Sequence, residues 1–151
     1  MLDQLTHALP LILSETDGHG HINFLAVPVA AVASFIIGGL WYSPLLFVKP
    51  WIRLSGHQPD GKRSALKPMI VSFIMDLIMA IGLTTVIALV EEPELMDGML
   101  VGVGVWATFQ ATLLASNYSF NGRPKRLWLI DAGYRLVAMA AMGAIIGGWH
   151  A

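Results

Sequence analysis

The sequence predicts an all-α membrane fold: an antiparallel four-transmembrane-helix bundle with a short interfacial helix after the first span. Three observations predict it. Of the 151 residues, 56% are hydrophobic and only 13% are charged, about half the roughly 25% charge of a soluble domain. Four stretches come up to the roughly 20 apolar residues that a helix needs to cross hydrocarbon. The basic residues alternate between the connections that join those stretches.

Residues 1–21 form an outer N-terminal segment, and 22–151 form the transmembrane domain. The first segment holds no Lys or Arg and is broken by Pro10, so it lacks the basic start of a signal peptide. Leu2, Leu5 and Leu9 give it one short apolar face. The first span, 22–42, is uncharged, and Pro28 within it would free the carbonyl of Phe24 and kink the helix. The second span, 69–90, carries one charge, Asp76; the third, 99–118, carries none. The fourth, 127–149, holds Asp131 and Arg135. Lipid offers no hydrogen-bonding partner, so the spans are helices; strands of a barrel would be about half as long and alternating.

The links 91–98 and 119–126 are short and make their flanking spans antiparallel neighbours. The longer connection, 43–68, contains SPLLFVKPWIRL. Ser43 suits an N-cap with Pro44 at the first helical position. Leu45, Leu46, Phe47, Trp51 and Ile52, with Lys49 and Arg53, suit a helix lying in the interface, its length limited by Pro50. Trp41, Tyr42 and Trp51 are the interfacial aromatics.

Charge sets the orientation. Lys49, Arg53, Lys62, Arg63 and Lys67 fall in the first connection, and Arg123, Lys125 and Arg126 in the third. The second connection has no base and carries Glu91, Glu92, Glu94 and Asp97. The positive-inside rule therefore places a cell-membrane protein with both termini outside and connections 43–68 and 119–126 in the cytoplasm. The ninth strong base is Arg135 itself.

INFLAVPVAAVASFIIGGLWYSPLLF at 22–47, NYSFNGRP at 117–124 and IDAGYRLV at 130–137 resemble the DUF1761 family of small bacterial membrane proteins. WYSP at 41–44 is the most specific piece. The resemblance covers roughly 22–149 and implies a four-helix integral membrane protein. It implies no activity, because the family is one of unknown function, and it carries over no catalytic residue.

The ionisable residues inside the spans hold the functional information. Each costs roughly 2.5–3.5 kcal/mol at a span centre on the insertion scale and faces protein or water. At about 1.5 Å per residue, Asp76 lies about 12 Å from the cytoplasmic end of its helix, Asp131 about 7 Å and Arg135 about 13 Å. Asn117 and Tyr118 sit near the same end of the third span. One polar cluster in the cytoplasmic half is expected, built from Asp76, Asn117, Asp131, Tyr134 and Arg135, with Gln110 toward the midplane. Arg suits it, being always charged with a five-donor fork. Two carboxylates around one Arg leave a surplus of −1. The bland alternative is that Asp131 and Arg135, one turn apart, neutralise each other while Arg135 snorkels and Asp76 fixes packing.

Gly98 and Gly102, and Gly143 and Gly147, have the spacing of close helix approach, either within one bundle or between copies. DGHGH at 17–21 could offer a metal two imidazoles and a carboxylate, but it is not a closed site by itself, an exposed solvated loop is the better reading, and no metal or other cofactor is assigned. The sequence contains no cysteine, and no nucleophile–base pair or phosphate loop appears, which argues against an enzyme; a net charge of −1 argues against nucleic acid. The partner is the bilayer, with self-association or partner membrane subunits as further options. Two function classes stay open: a bundle that binds or transports a small solute or proton through the cytoplasmic-half cluster, and a non-catalytic structural or accessory subunit of a larger membrane complex.

Overall fold

A computed structural model describes residues 25–57 and 66–149. The outer segment 1–21 with its histidines, the start of the first span at 22–24, Lys62 and Arg63, and His150 lie outside the described residues. Among the described residues all regular structure is helical: α1 (Ala26–Trp41), α2 (Val48–Ser55), α3 (Leu66–Ile87), α4 (Leu95–Phe120) and α5 (Lys125–Gly148). Three of these, α3, α4 and α5, are long and apolar enough to cross a membrane. α1 is a shorter apolar helix of 16 residues, about 24 Å against a hydrocarbon core of about 30 Å.

The connections follow local chemistry. After α1, the Ser43 Oγ accepts the Leu45 N–H at 3.2 Å and the Trp41 carbonyl accepts the Phe47 N–H at 3.0 Å. Ser43 therefore stabilises a turn, and α2 begins at Val48 rather than at Pro44 as the sequence suggests. Pro50 falls in the first turn of α2, where its missing N–H costs nothing. α2 stops at Gly56, whose left-handed φ of 70° closes the helix end. Before α4, Glu94 donates its N–H to Asp97 Oδ2 at 3.0 Å, a capping-box contact at the start of the helix.

α5 is the central element and touches each of the other four helices. Its seam with α4 is made of glycine. A Cβ on Gly98 would come within 2.8 Å of the Gly147 Cα, and one on Gly143 within 3.3 Å of the Gly102 Cα. Gly98 against Gly147 and Gly102 against Gly143 make the two helices antiparallel, with backbones in direct contact. The glycine pairs seen in the sequence are thus spent inside the chain. Around this seam lies a small core that includes Ala30, Ala31, Ala80, Leu83, Met139, Met142 and Ile146.

Burial is distributed unevenly along the helices, and this decides where a site can form. On α3 every buried residue lies at Asp76 or beyond it. On α4 the buried residues are Gly98 and Gly102, both in its first half. The bundle is therefore tight where α3 ends and α4 begins, and it opens where α3 begins and α4 ends. Large side chains such as Ile70, Ile74, Ile78, Leu100, Phe109 and Leu113 point outward, an apolar exterior suited to lipid rather than water.

α4 also contains a feature that the sequence does not announce. Trp106–Gln110 is a π-helical segment between two α-helical stretches. Its one-residue rephasing turns Tyr118 of the second half toward α5, the helix that Gly98 and Gly102 face in the first half. Trp106 pins it to α5 by donating its indole N–H to the Ala132 carbonyl at 3.0 Å.

Candidate functional site

The site forms at the open end of the wedge. The first turns of α5 supply Asp131, Tyr134 and Arg135, and the other helices supply their partners.

Asp131 is an acceptor shared by three elements. Its Oδ1 accepts the Tyr42 hydroxyl at 2.6 Å and the Trp51 indole N–H at 3.1 Å. Its Oδ2 accepts the Tyr118 hydroxyl. The donors come from the end of α1, from α2 and from the last turns of α4. Hydrogen bonds to a charged group contribute roughly 1.5–3 kcal/mol each, so this carboxylate ties together the parts of the fold that the core does not reach. Next to it, Trp41 donates its indole N–H to the Ile130 carbonyl at 3.0 Å. The Trp41 ring lies where a side chain on Gly133 would stand, 3.2 Å from its Cβ, so the glycine admits the ring.

Arg135 makes its ion pair with Asp76, at 3.4 Å between Nη1 and Oδ1, and not with Asp131. The Asp76 side chain is 2% exposed and that of Arg135 33%. Arg135 also places its guanidinium 5.0 Å from the Tyr134 ring centre, a cation–π contact. Tyr134 in turn packs on the backbone of α1 at Gly38, where a Cβ would meet its hydroxyl at 3.0 Å. Ser34, fully buried on α1, sits beside both Asp76 and Tyr134. The Ser34 Oγ and the Asp76 Oδ2 are both without a hydrogen-bond partner among the described residues.

These groups surround a cleft of about 500 Å³. Asp76, Arg135, Tyr134, Asp131, Tyr42, Tyr118 and Trp51 supply its polar and aromatic lining, and Phe35, Met69 and Leu114 supply apolar wall. The formal charge of the lining is −1, from two carboxylates and one guanidinium. A second cavity of about 300 Å³ adjoins it beyond Trp51, Tyr118 and Asp131, and reaches Asn117, Asn121 and Arg123. Arg123 donates to the Ser55 carbonyl at 3.0 Å there, holding the end of α2.

Of the residues singled out from the sequence, Asp76, Asp131, Tyr134 and Arg135 line one cleft. Gln110 is separate: its Nε2 donates to the Met79 Sδ at 2.8 Å. Asn117 is exposed and accepts from Asn121 Nδ2 at 2.8 Å, while its neighbour Tyr118 turns inward to Asp131. Trp41, Tyr42 and Trp51, expected as interfacial anchors, also act as hydrogen-bond donors to α5. Ser34 was not legible as a site residue. The signal for it is the row Ala30, Ser34, Gly38, spaced one turn apart and small throughout, which marks the face of α1 turned inward.

Residues 25–147 match the model of the family described as Protein of unknown function (DUF1761). No curated protein and no solved structure matches the chain.

Proposed function

The chain belongs to the DUF1761 family, and on that premise we propose that it is a multi-pass membrane protein that binds a small solute in the cleft at the open end of its helices. The supporting topology has four crossings, both termini outside, and connections 43–68 and 119–126 in the cytoplasm. The cleft then opens in the cytoplasmic half of the membrane, with α2 lying in the interface beside it. The observation that carries the proposal is the cleft itself: about 500 Å³ of open space bordered by the buried Asp76 and the partly exposed Arg135. That volume falls in the range of small-molecule sites, which pair apolar wall with a few polar groups. A purely structural ion pair has no need of such space. The accessory-subunit alternative draws less support, because the glycine seam that would serve assembly is occupied by α4 and α5 of the same chain.

The test is gentle purification of the protein in lipid nanodiscs, native mass spectrometry for retained small molecules, and a thermal-shift screen of charged and neutral solutes. A solute that raises the melting temperature of the native chain, with the rise lost in a Leu114→Trp variant that fills the cleft, is the expected result. No retained molecule and no stabilising solute would remove the solute-binding proposal.

A further inference from the structure

Resting on that solute-binding proposal, we infer that the cleft is selective for a small organic cation, a primary or quaternary amine held between Asp76 and the aromatic rings of α1 and α2. Charge is the first argument. The lining holds two carboxylates and a single guanidinium, and that guanidinium is engaged by Asp76 Oδ1 and by the Tyr134 ring. An anion entering the cleft would meet two carboxylates and an arginine whose charge is already paired with Asp76. A cation meets an uncompensated charge of −1 on an open cleft whose apolar walls and buried Asp76 lower the local dielectric below that of water.

The second argument is the buried carboxylate oxygen. Asp76 is 98% enclosed, being 2% exposed, and its Oδ2 has no partner among the described residues while the residue lines the cleft. The neutral Ser34 hydroxyl beside Asp76 can offer this carboxylate a donor but no positive charge. A quaternary ammonium supplies the charge, and a primary ammonium supplies a donor as well. The third argument is aromatic. Tyr42 stacks edge-on against Trp51 at 5.8 Å and against Tyr134 at 5.4 Å between ring centres, and all three rings border the cleft. Clustered aromatic rings attract cations through their negative faces, most strongly where the cation is desolvated. Asp131 draws electron density onto this cluster by accepting from Tyr42 and Trp51, which deepens the negative potential of both rings. Lys67, which precedes the lining residues Pro68 and Met69, and Arg123 of the adjoining cavity are solvent-exposed, so water weakens their field inside the cleft.

Isothermal titration of the full chain in nanodiscs tests this with three probes of similar size: tetraethylammonium, an alkyl sulfonate and a neutral polyol. Saturable binding of tetraethylammonium alone is expected, weakened at least about tenfold by Asp76→Asn, as befits loss of an opposing charge in a partly buried site, and abolished by Leu114→Trp. The second variant keeps every charge, so it carries the test if Asp76→Asn does not fold. Saturable sulfonate or polyol binding that Leu114→Trp abolishes, with no binding of tetraethylammonium, overturns the cation assignment and leaves a solute site. Tetraethylammonium binding unaffected by Leu114→Trp places the cation elsewhere and overturns the inference. No binding by any probe up to roughly 10 mM, weaker than about 3 kcal/mol, overturns the inference together with the proposal on which it rests.

Discussion

Gly98→Ala should destabilise the protein sharply, although it adds a single methyl group. A Cβ at this position would lie 2.8 Å from the Gly147 Cα and 2.9 Å from the Gly147 nitrogen, with the Gly143 carbonyl oxygen closer still. Ordinary contact begins at 3.4 Å, so α5 would have to retreat by at least 0.6 Å from α4. All these neighbours are backbone, and no rotamer change relieves them. Gly102, Gly143 and Gly147 share the seam, so a retreat at one point loosens the whole interface. Overpacking typically costs about 1–3 kcal/mol, and the rigidity of the neighbours puts this case at about 2–3 kcal/mol. Gly104, on the same helix, provides the control, since a Cβ there would meet nothing within 4 Å. Gly104→Ala should be neutral or gain up to about 1 kcal/mol from helix propensity. Thermal unfolding of the purified variants in one detergent, followed by loss of the monodisperse size-exclusion peak, measures both. Equal stability of Gly98→Ala and Gly104→Ala would refute the assignment of these glycines to a backbone-to-backbone seam.

The site yields further expectations. Asp131→Ala leaves the Tyr42 and Trp51 donors and the Tyr118 hydroxyl without their acceptor, and should cost at least about 2 kcal/mol. Protease cleavage within the α2 region should accelerate in that variant, and cleavage at the native rate would argue against Asp131 as the anchor of α2. Arg135→Gln strands the buried Asp76 and should cost about 3–5 kcal/mol, whereas Asp76→Asn combined with Arg135→Gln should recover part of that loss. The coupling from this double-mutant cycle in thermal stability should be about 1–3 kcal/mol; a value near zero would sink the ion pair as an energetic unit. Trp106→Phe removes the donor to the Ala132 carbonyl and should cost about 1 kcal/mol in the same assay, and no change would show that this bond does not hold the π-helical segment.

The helices were legible in the sequence because long apolar runs, even those carrying Asp76, Asp131 and Arg135, have no other way to satisfy their backbones in lipid. The positions of Asp76 and Arg135 along their helices were legible for the same reason, from simple counting of rise. Side-chain partners were not. Asp131 and Arg135, one turn apart, suggest mutual neutralisation, yet Arg135 reaches across to Asp76 while Asp131 gathers donors from three other elements. Periodicity reports which face a residue shares, not which neighbour wins it. The inward turn of Tyr118 in place of Asn117 depends on the phase of α4 after Trp106–Gln110. A π-helical segment has no composition signature, so that phase could not be counted from the sequence. The open wedge was equally hidden. It comes from the single glycine seam drawing α4 and α5 together at one end, with nothing comparable at the other.

The most direct test of a water-filled cleft facing the cytoplasm is a single cysteine at Ser72. The chain has no native cysteine, so the background is silent, and Ser72 is an exposed residue of the cleft wall. A membrane-impermeant thiol reagent applied to inside-out vesicles should label Ser72→Cys readily, and tetraethylammonium should slow that labelling. Asp97→Cys, in the exposed first turn of α4 at the opposite end, should label only from the outside. Ser72→Cys that labels from the outside, or from neither side while Asp97→Cys reacts, would contradict a solute-accessible cytoplasmic cleft.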